Sequence, residues 1–210
     1  MRVRQLMART ACVWRGGVMS KLPAIEVRPI GLDSLAELRH IHGRSYRSYL
    51  CGDLSQDQLD ALLEYVATPA YLDLVLQTEC LGAWIDARLC ATGSWTLGGG
   101  SALGARIASV CVDPLFSRLG LGRRIVGEME ARARRAGCAL ISARAPLSSA
   151  TFFERIGYAG TSRGVWSTPC GVSVPVLHMR KGEMRPIAMD AQILVATVIA
   201  AKHPAASRLH

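Results

Sequence analysis

The run VCVDPLFSRLGLGRRIVGEMEARARR, residues 110–135, changes period halfway along, and that change constrains what the rest of the chain can build. Up to Asp113 the residues read as a strand, preceded by the equally strand-like ARIAS. Pro114 stops it, because proline has no N–H to give to a ladder. From Gly120 the apolar residues recur at helical spacing: Leu121, Ile125, Met129 and Ala133, with Val126 beside them. Arg123, Glu128, Glu130, Arg132, Arg134 and Arg135 take the other sides. Glu128–Arg132 and Glu130–Arg134 are i,i+4 pairs in the favourable orientation, each worth a few tenths of a kcal/mol. Gly137 is the natural stop. A strand thus passes through a short glycine loop directly into an amphipathic helix.

The flanking sequence supplies both kinds of element. AIEVRPI (24–30) reads as a strand, and LDSLAELRHIHGRSY places Leu32, Leu35, Leu38 and Ile41 near helical spacing. SQDQLDALLEYVA predicts a helix capped by Ser55 and ended by Pro69. LDLVLQTECLGAWIDARLCATGSWTL reads as β structure with a hairpin turn near Asp86–Ala87, and GGGSALG (98–104) as a link. CALISARA is a strand, SSATFFERIGY a short helix capped by Ser148 or Ser149, and VSVPVLHMR a last strand. Within that last strand Pro175 suggests an edge or a bulge. The sum is an α+β domain over residues 22–182, three or four helices around a mixed sheet.

Charge narrows the functional classes. The chain of 210 residues carries a formal +9, yet the first 21 residues hold five basic side chains and no acid and the tail 183–210 adds +1, leaving only +3 for residues 22–182. A duplex-binding face on the domain is therefore not demanded. Residues 1–21 read as a basic leader, disordered or lying upstream of a start at Met19. The tail 183–210 holds ILVATVIAA, too short to cross a bilayer, which takes about 20 apolar residues. Seven cysteines without a C-x-x-C pair give no metal or redox motif and fit a reducing cytoplasm.

Local chemistry leaves two readings of SRLGLGRR (117–124) level. A helix start with free N–H groups, two glycines and Arg118, Arg123 and Arg124 suits a pyrophosphate. A tight turn would use the same glycines. No Lys-Ser/Thr follows the loop and no third glycine completes a dinucleotide fingerprint, so neither of those nucleotide sites is indicated.

Two motifs at the right separation go further. VCVDPLFSRLGLGRR followed by ATFFERIGY resembles the GCN5-related N-acetyltransferase superfamily, and the order of elements from Ala24 to Lys181 is similar to that fold. The resemblance implies a three-layer α/β/α arrangement. Its sheet would be mixed and mostly antiparallel, with a splayed pair of central strands. It also implies acetyl-CoA as co-substrate, with its pyrophosphate on the backbone of Leu119, Gly120, Leu121, Gly122 and Arg123. Cys111 and Val112 would run beside the pantetheine, and Ser117, Arg118 and Phe153 would complete the site. The sequence departs from the family where Ser117 replaces the usual Arg or Gln. Phe153 stands where a tyrosine often protonates the departing thiolate, and phenylalanine has no proton to give.

For the chemistry itself the candidates are His178, Tyr46 and Tyr158, with Tyr49 beside them. His42 is expected to face solvent, and Cys111 to be a small buried residue rather than a nucleophile. Asp113 is expected to shape the strand exit. The function implied is acetyl transfer to a primary amine, on a small molecule or a protein, by direct attack in a ternary complex. The alternatives are an acetyl-CoA-binding module weak or inactive in catalysis, and a nucleic-acid binder using the basic leader. No metal, nucleic acid or membrane partner is implied, and dimers, common in this family, make a homodimer an option.

Overall fold

The structure, a computed structural model, describes residues 24–98 and 104–182. The basic leader and the tail 183–210 lie outside the described residues, as does most of the glycine-rich link.

Seven strands form one sheet: β1 (Ile25–Pro29), β2 (Glu79–Ile85), β3 (Arg88–Leu97), β4 (Gly104–Val112), β5 (Leu140–Pro146), β6 (Ala159–Ser167) and β7 (Ser173–Lys181). Their order across the sheet is β1-β2-β3-β4-β5-β7-β6. Every neighbouring pair is antiparallel except β4 and β5, which are parallel. A parallel pair needs a crossover, and the amphipathic helix provides it. The β2–β3 hairpin turns at Asp86 and Ala87, where φ is 48° and 63°. Positive φ at both central residues is the turn whose twist matches that of the strands.

Among the described residues five α-helices cover the sheet: α1 (Leu35–Tyr49), α2 (Gln56–Val66), α3 (Pro69–Leu76), α4 (Leu121–Arg135) and α5 (Ala150–Arg155). Two cores result, one on each face. On one face Ile125, Met129 and Ala133 of α4 and Phe153 of α5 pack on Ala105, Ile107, Ile141, Ala143 and Met179. On the other, Leu38, Ile41, Leu59, Leu62, Tyr71 and Val75 of α1–α3 pack with Trp84, Cys111, Val174 and Val176. Helices on both faces make the three layers, and the fold is α+β with a mostly antiparallel sheet.

Local signals explain most boundaries. Ser55 accepts from the Gln58 N–H while the Gln58 side chain accepts from the Ser55 N–H, a reciprocal capping box. Pro69, expected to end a helix, instead opens α3 as its first residue, with Thr68 capping the N–H of Tyr71. Proline at the first helical position loses no hydrogen bond, so T-P reads as a start. Residues 72–76 are therefore helix rather than strand. β6, not foreseen in the polar TSRGVWS, is the sheet edge; its first five residues, Ala159 to Arg163, are all exposed. Pro175 lies in β7, an interior strand, but beyond the last β5 pairing at Val176, so the missing N–H breaks no ladder there.

One glycine sets the distance between α4 and the sheet. A Cβ on Gly93 of β3 would stand 2.5 Å from Ile125 Cγ2 and 2.8 Å from Met129 Cε. Gly93→Ala is expected to cost about 1–3 kcal/mol through overpacking, read as a lower urea midpoint with an unchanged m-value. An equally stable variant would mean that α4 is free to shift.

Candidate active site

The site begins with a miscount between two strands. Ser94 pairs with Ala108 and Thr92 with Cys111, so Gly93 alone opposes both Ser109 and Val110. Such a bulge bends its strand and twists it more strongly. Ser109 takes φ 51°, in the left-handed region where a residue with a Cβ is strained by about 1 kcal/mol or more. On its other edge β4 pairs with β5 only from Gly104–Leu140 to Ile107–Ala143. β5 meanwhile stays with β7 as far as Pro146. Past Ile107 the two parallel strands part, and the edge of β4 over residues 108–112 has no strand beside it.

The end of that open edge leads into the glycine loop. Asp113 accepts from the N–H of Leu115 and ties a short 3-10 turn, Pro114–Phe116, to the strand exit. Its carboxylate is 2% exposed and lies 3.3 Å from the Arg44 guanidinium, which links the turn to α1. Arg118 then takes φ 65° and Gly120 φ 76°. The first helical hydrogen bond of α4 runs from Arg124 N–H to Gly120 O. The N–H groups of Leu121, Gly122 and Arg123 therefore have no carbonyl one turn behind them.

One feature sets this helix start apart from those of α2 and α3: no side chain caps it. Its first turn, like that of α3, carries no acid. Arg123 and Arg124 stand there instead, against the positive end of the dipole. The balance is reversed when an anion is bound. The two glycines differ in role. A Cβ on Gly120 would meet open space, whereas one on Gly122 would stand 3.2 Å from the Phe152 ring. Gly122 lets α5 pack close; Gly120 supplies the backbone conformation and the open approach.

Between the parted strands and this helix start lies a cleft of about 720 Å³. Its walls are Arg106 to Val112 of β4, Ser117, Arg118 and Gly120 to Arg123 of the loop, Arg144 and Pro146 of β5, and Phe152 and Phe153 of α5. Tyr46, Tyr49 and Tyr71 close it from the α1–α3 side. The lining contains no carboxylate and no imidazole among the described residues.

A buried polar chain backs the tyrosines. His42, expected at the surface, is 1% exposed, its Nε2 2.7 Å from Thr92 Oγ1 and its Nδ1 bonded to the Tyr71 hydroxyl. Leu38, Ile41 and His42 fall on the same inward stripe of α1, and Thr92 and Tyr71 give both ring nitrogens partners there. The Tyr71 hydroxyl is in turn 3.3 Å from that of Tyr46. Burial lowers the His42 pKa to about 3, so the ring is neutral, one nitrogen donating and the other accepting. Burial first, and then the neighbouring phenol and thiol, raise Tyr46 well above the usual phenol range. Tyr71 is raised by burial and next by Cys111. The Cys111 thiol is itself pushed up to about 12 by burial. These groups can donate protons near neutral pH, and Cys111 is not a thiolate nucleophile.

The residues singled out from sequence fall in three places. Cys111, Val112, Ser117, Arg118, Gly120, Leu121, Gly122, Arg123, Phe153 and Tyr46 all line the cleft; Leu119, 42% exposed, does not. His178 lines a neighbouring hollow on the sheet. Tyr158 is buried in the α4-side core between Phe153 and Lys181, away from the cleft. Tyr71 was missed because its segment read as the approach to a strand; the Thr68-Pro69 start was the available signal.

Known proteins agree with this geometry. The acetyltransferase (GNAT) family profile matches residues 35–158, and the chain belongs to that family. A GCN5-related N-acetyltransferase from Rhodopseudomonas palustris superposes with TM-score 0.67 at 21% identity, covering 80% of this chain and 100% of its own. PaiA N-acetyltransferase from Thermoplasma acidophilum, solved with coenzyme A, gives 0.60 at 16% identity, covering 76% and 99%. A ribosomal-protein-alanine N-acetyltransferase from Brucella melitensis gives 0.53 at 15%, covering 75% and 99%. No curated protein matches the sequence.

The neutral His42 has a measurable consequence. Its folded pKa of about 3 lies below the ordinary imidazole value of 6.5, so the unfolded chain binds the extra proton first. Stability tied to this residue is present above pH 6.5 and is lost as pH falls toward 3. His42→Gln is expected to unfold about 1–3 kcal/mol more easily at pH 7. Its melting temperature should fall less than that of wild type between pH 7 and 5. Parallel curves for the two proteins would show that His42 is charged when folded.

Proposed function

We propose that this protein is an acetyl-CoA-dependent N-acetyltransferase that passes acetyl to a primary amine by direct attack in a ternary complex. The observation that carries the reading is the uncapped, acid-free, arginine-flanked start of α4 at the end of a strand edge left open by its neighbour. The N–H groups of Leu121, Gly122 and Arg123 would hold the pyrophosphate, with Arg118 and Arg123 adding charge. The open edge of β4 over Ser109–Val112 would take the pantetheine. Acetyl-CoA supplies an activated thioester carbonyl.

What the chain's own residues contribute is position and protons. Orienting two reactants in one cleft can supply about 7–11 kcal/mol of a barrier. Phe153 cannot give a proton, but Tyr46 and Tyr71 remain phenols near neutral pH and share the cleft wall with Cys111. Among the described residues the lining offers the amine no carboxylate or imidazole to take its proton, which supports an amine that arrives neutral. Either a small molecule or a protein amine fits an open cleft, and the similarity to a ribosomal-protein-alanine N-acetyltransferase supports the latter. The six described cysteines are all unpaired, which supports a reducing cytoplasm. Phe153 also favours a second reading, an acetyl-CoA-binding module without turnover; acetylation of any amine at enzymatic rates removes it.

Two measurements test the first reading. Arg123→Glu places an acid in the first turn of α4, which the dipole favours, while repelling a pyrophosphate. Thermal stability should hold or rise, and acetyl-CoA affinity by calorimetry should fall about tenfold or more. Unchanged affinity would sink the cradle. With no base in the lining, kcat/KM for the amine should rise about tenfold per pH unit up to the acceptor's own pKa. Acceptors of different basicity should therefore give displaced profiles; a common inflection would reveal a protein base.

A further inference from the structure

Beside the cleft the sheet carries a second hollow, of about 340 Å³, lined by Arg106, Ser142, Arg144, Ser162, His178 and Arg180 among others. Register puts these side chains on one face. Arg106 pairs with Ser142, Ser142 with Arg180, Arg144 with His178, and His178 with Ser162. Val174 and Val176 precede His178 and Arg180 on the same alternating side of β7 and pack with α1–α3. The hollow therefore opens on the α1–α3 side of the sheet, over its β4–β5–β7 end.

Its composition is unusual. Three guanidiniums and an imidazole are gathered with hydroxyls, and no Asp or Glu is in the lining. Among the described residues none of the three arginines makes an ion pair; the ion pairs there use Arg28, Arg44, Arg88, Arg132, Arg134, Arg135 and Lys181 instead. The repulsion is felt: Arg144 has its pKa lowered by burial and then by the Arg106 charge. A cluster of like charge held on rigid strands, without counter-ions, lowers its energy by binding an anion, and guanidiniums match carboxylates and phosphates bidentately.

The placement gives the anion a role. Arg106 and Arg144 line both the hollow and the cleft, flanking the point where β4 and β5 part. Ser109, at the bulge, is three residues beyond Arg106, about 10 Å along a strand. We propose that the hollow docks an anionic oxygen group of the acceptor, so that the amine substrate carries a carboxylate or a phosphate within that reach of its nitrogen. The assignment rests on the acetyltransferase reading above. Arg180 and Arg106 receive the anion, Arg144 holds it next to the parting of the strands, and the nitrogen end lies toward the bulge.

The test compares matched acceptors that differ only in the anion. β-Alanine against β-alaninamide probes a carboxylate, and phosphoethanolamine against ethanolamine a phosphate, each with wild type, Arg180→Gln and Arg106→Gln. Arg180 is exposed and off the cleft, so its variant keeps the fold and the acetyl-CoA site. In wild type the anionic member of at least one pair should show kcat/KM about tenfold higher or more. In Arg180→Gln that advantage should shrink mainly through KM, with acetyl-CoA affinity by calorimetry unchanged. The preferred pair identifies which oxyacid is read. Equal rates within both pairs, with acetyl transfer intact, would overturn the proposal and leave the transferase standing. If no amine is acetylated, calorimetry with citrate separates the failures. Saturable citrate binding lost in Arg180→Gln would leave an anion cup and overturn the acceptor role. No citrate binding would overturn the cup as well.

Discussion

Everything at the centre of this molecule follows from β4 having a full-length partner on one edge and a partial one on the other. Backbone N–H and C=O groups away from water must be paired, and a strand edge in mid-sheet is the costliest place to leave them open. The extra residue at Ser109–Val110 and the departure of β5 toward β7 create that opening, and the ladders on either side, four strands on one and three on the other, prevent it from closing. A second set of unpaired donors, at the start of α4, lies at the same end of the strand. Two deficits of hydrogen bonding face one cleft, and an extended ligand with an anionic end answers both.

Strain is placed in the same region. Outside the β2–β3 turn, the two non-glycine residues with positive φ among those described are Ser109 and Arg118, and both line the cleft. The core around Ile125, Val126 and Met129, all essentially buried, is what holds them there. Close-packed interiors resist the small shifts that would relax either residue. Gly122 belongs to that support: it lets Phe152 approach α4, and so fixes the helix whose first turn faces the cleft.

Legibility from sequence divided along physical lines. The strand–proline–glycine–helix run was plain because period, breaker and charge all agreed, and its Cys111, Val112, Ser117, Arg118 and Gly120 to Arg123 line the cleft. What failed depended on partners far along the chain. His42 reads as a polar surface residue until Thr92 and Tyr71 are known to bracket it, fifty and twenty-nine residues away. β6 carries so little apolar alternation that only its pairing with β7 makes it a strand. Tyr158 lies in a motif yet points into the core, because α5 turns its far end toward Glu130 and Lys181 rather than toward the parted strands. Proline misled and informed in equal measure: Pro69 starts a helix, and Pro175 is tolerated where a neighbouring strand has already ended.

The charge pattern completes the argument. Net charge alone, mostly contributed by the leader, says little about the domain, but pairing within it says more. Glu128 is spent on Arg132 and Arg135, Glu130 on Lys181 and Arg134, and Asp113 on Arg44 with Arg88 at longer range. Acids are thus consumed on the α4 face and at the strand exit. Of the cations without an ion pair among the described residues, Arg118 and Arg123 sit at the α4 start and Arg106 and Arg144 at the β4–β5 fork, the two ends of one cleft. Between them the wall is apolar or held as neutral phenol and thiol. Neutral walls keep the dielectric low, so charge at either end acts strongly over the gap. An arrangement with cations at both ends and none of its acids between them favours two anionic reactants meeting at an uncharged middle, which is where the strands part.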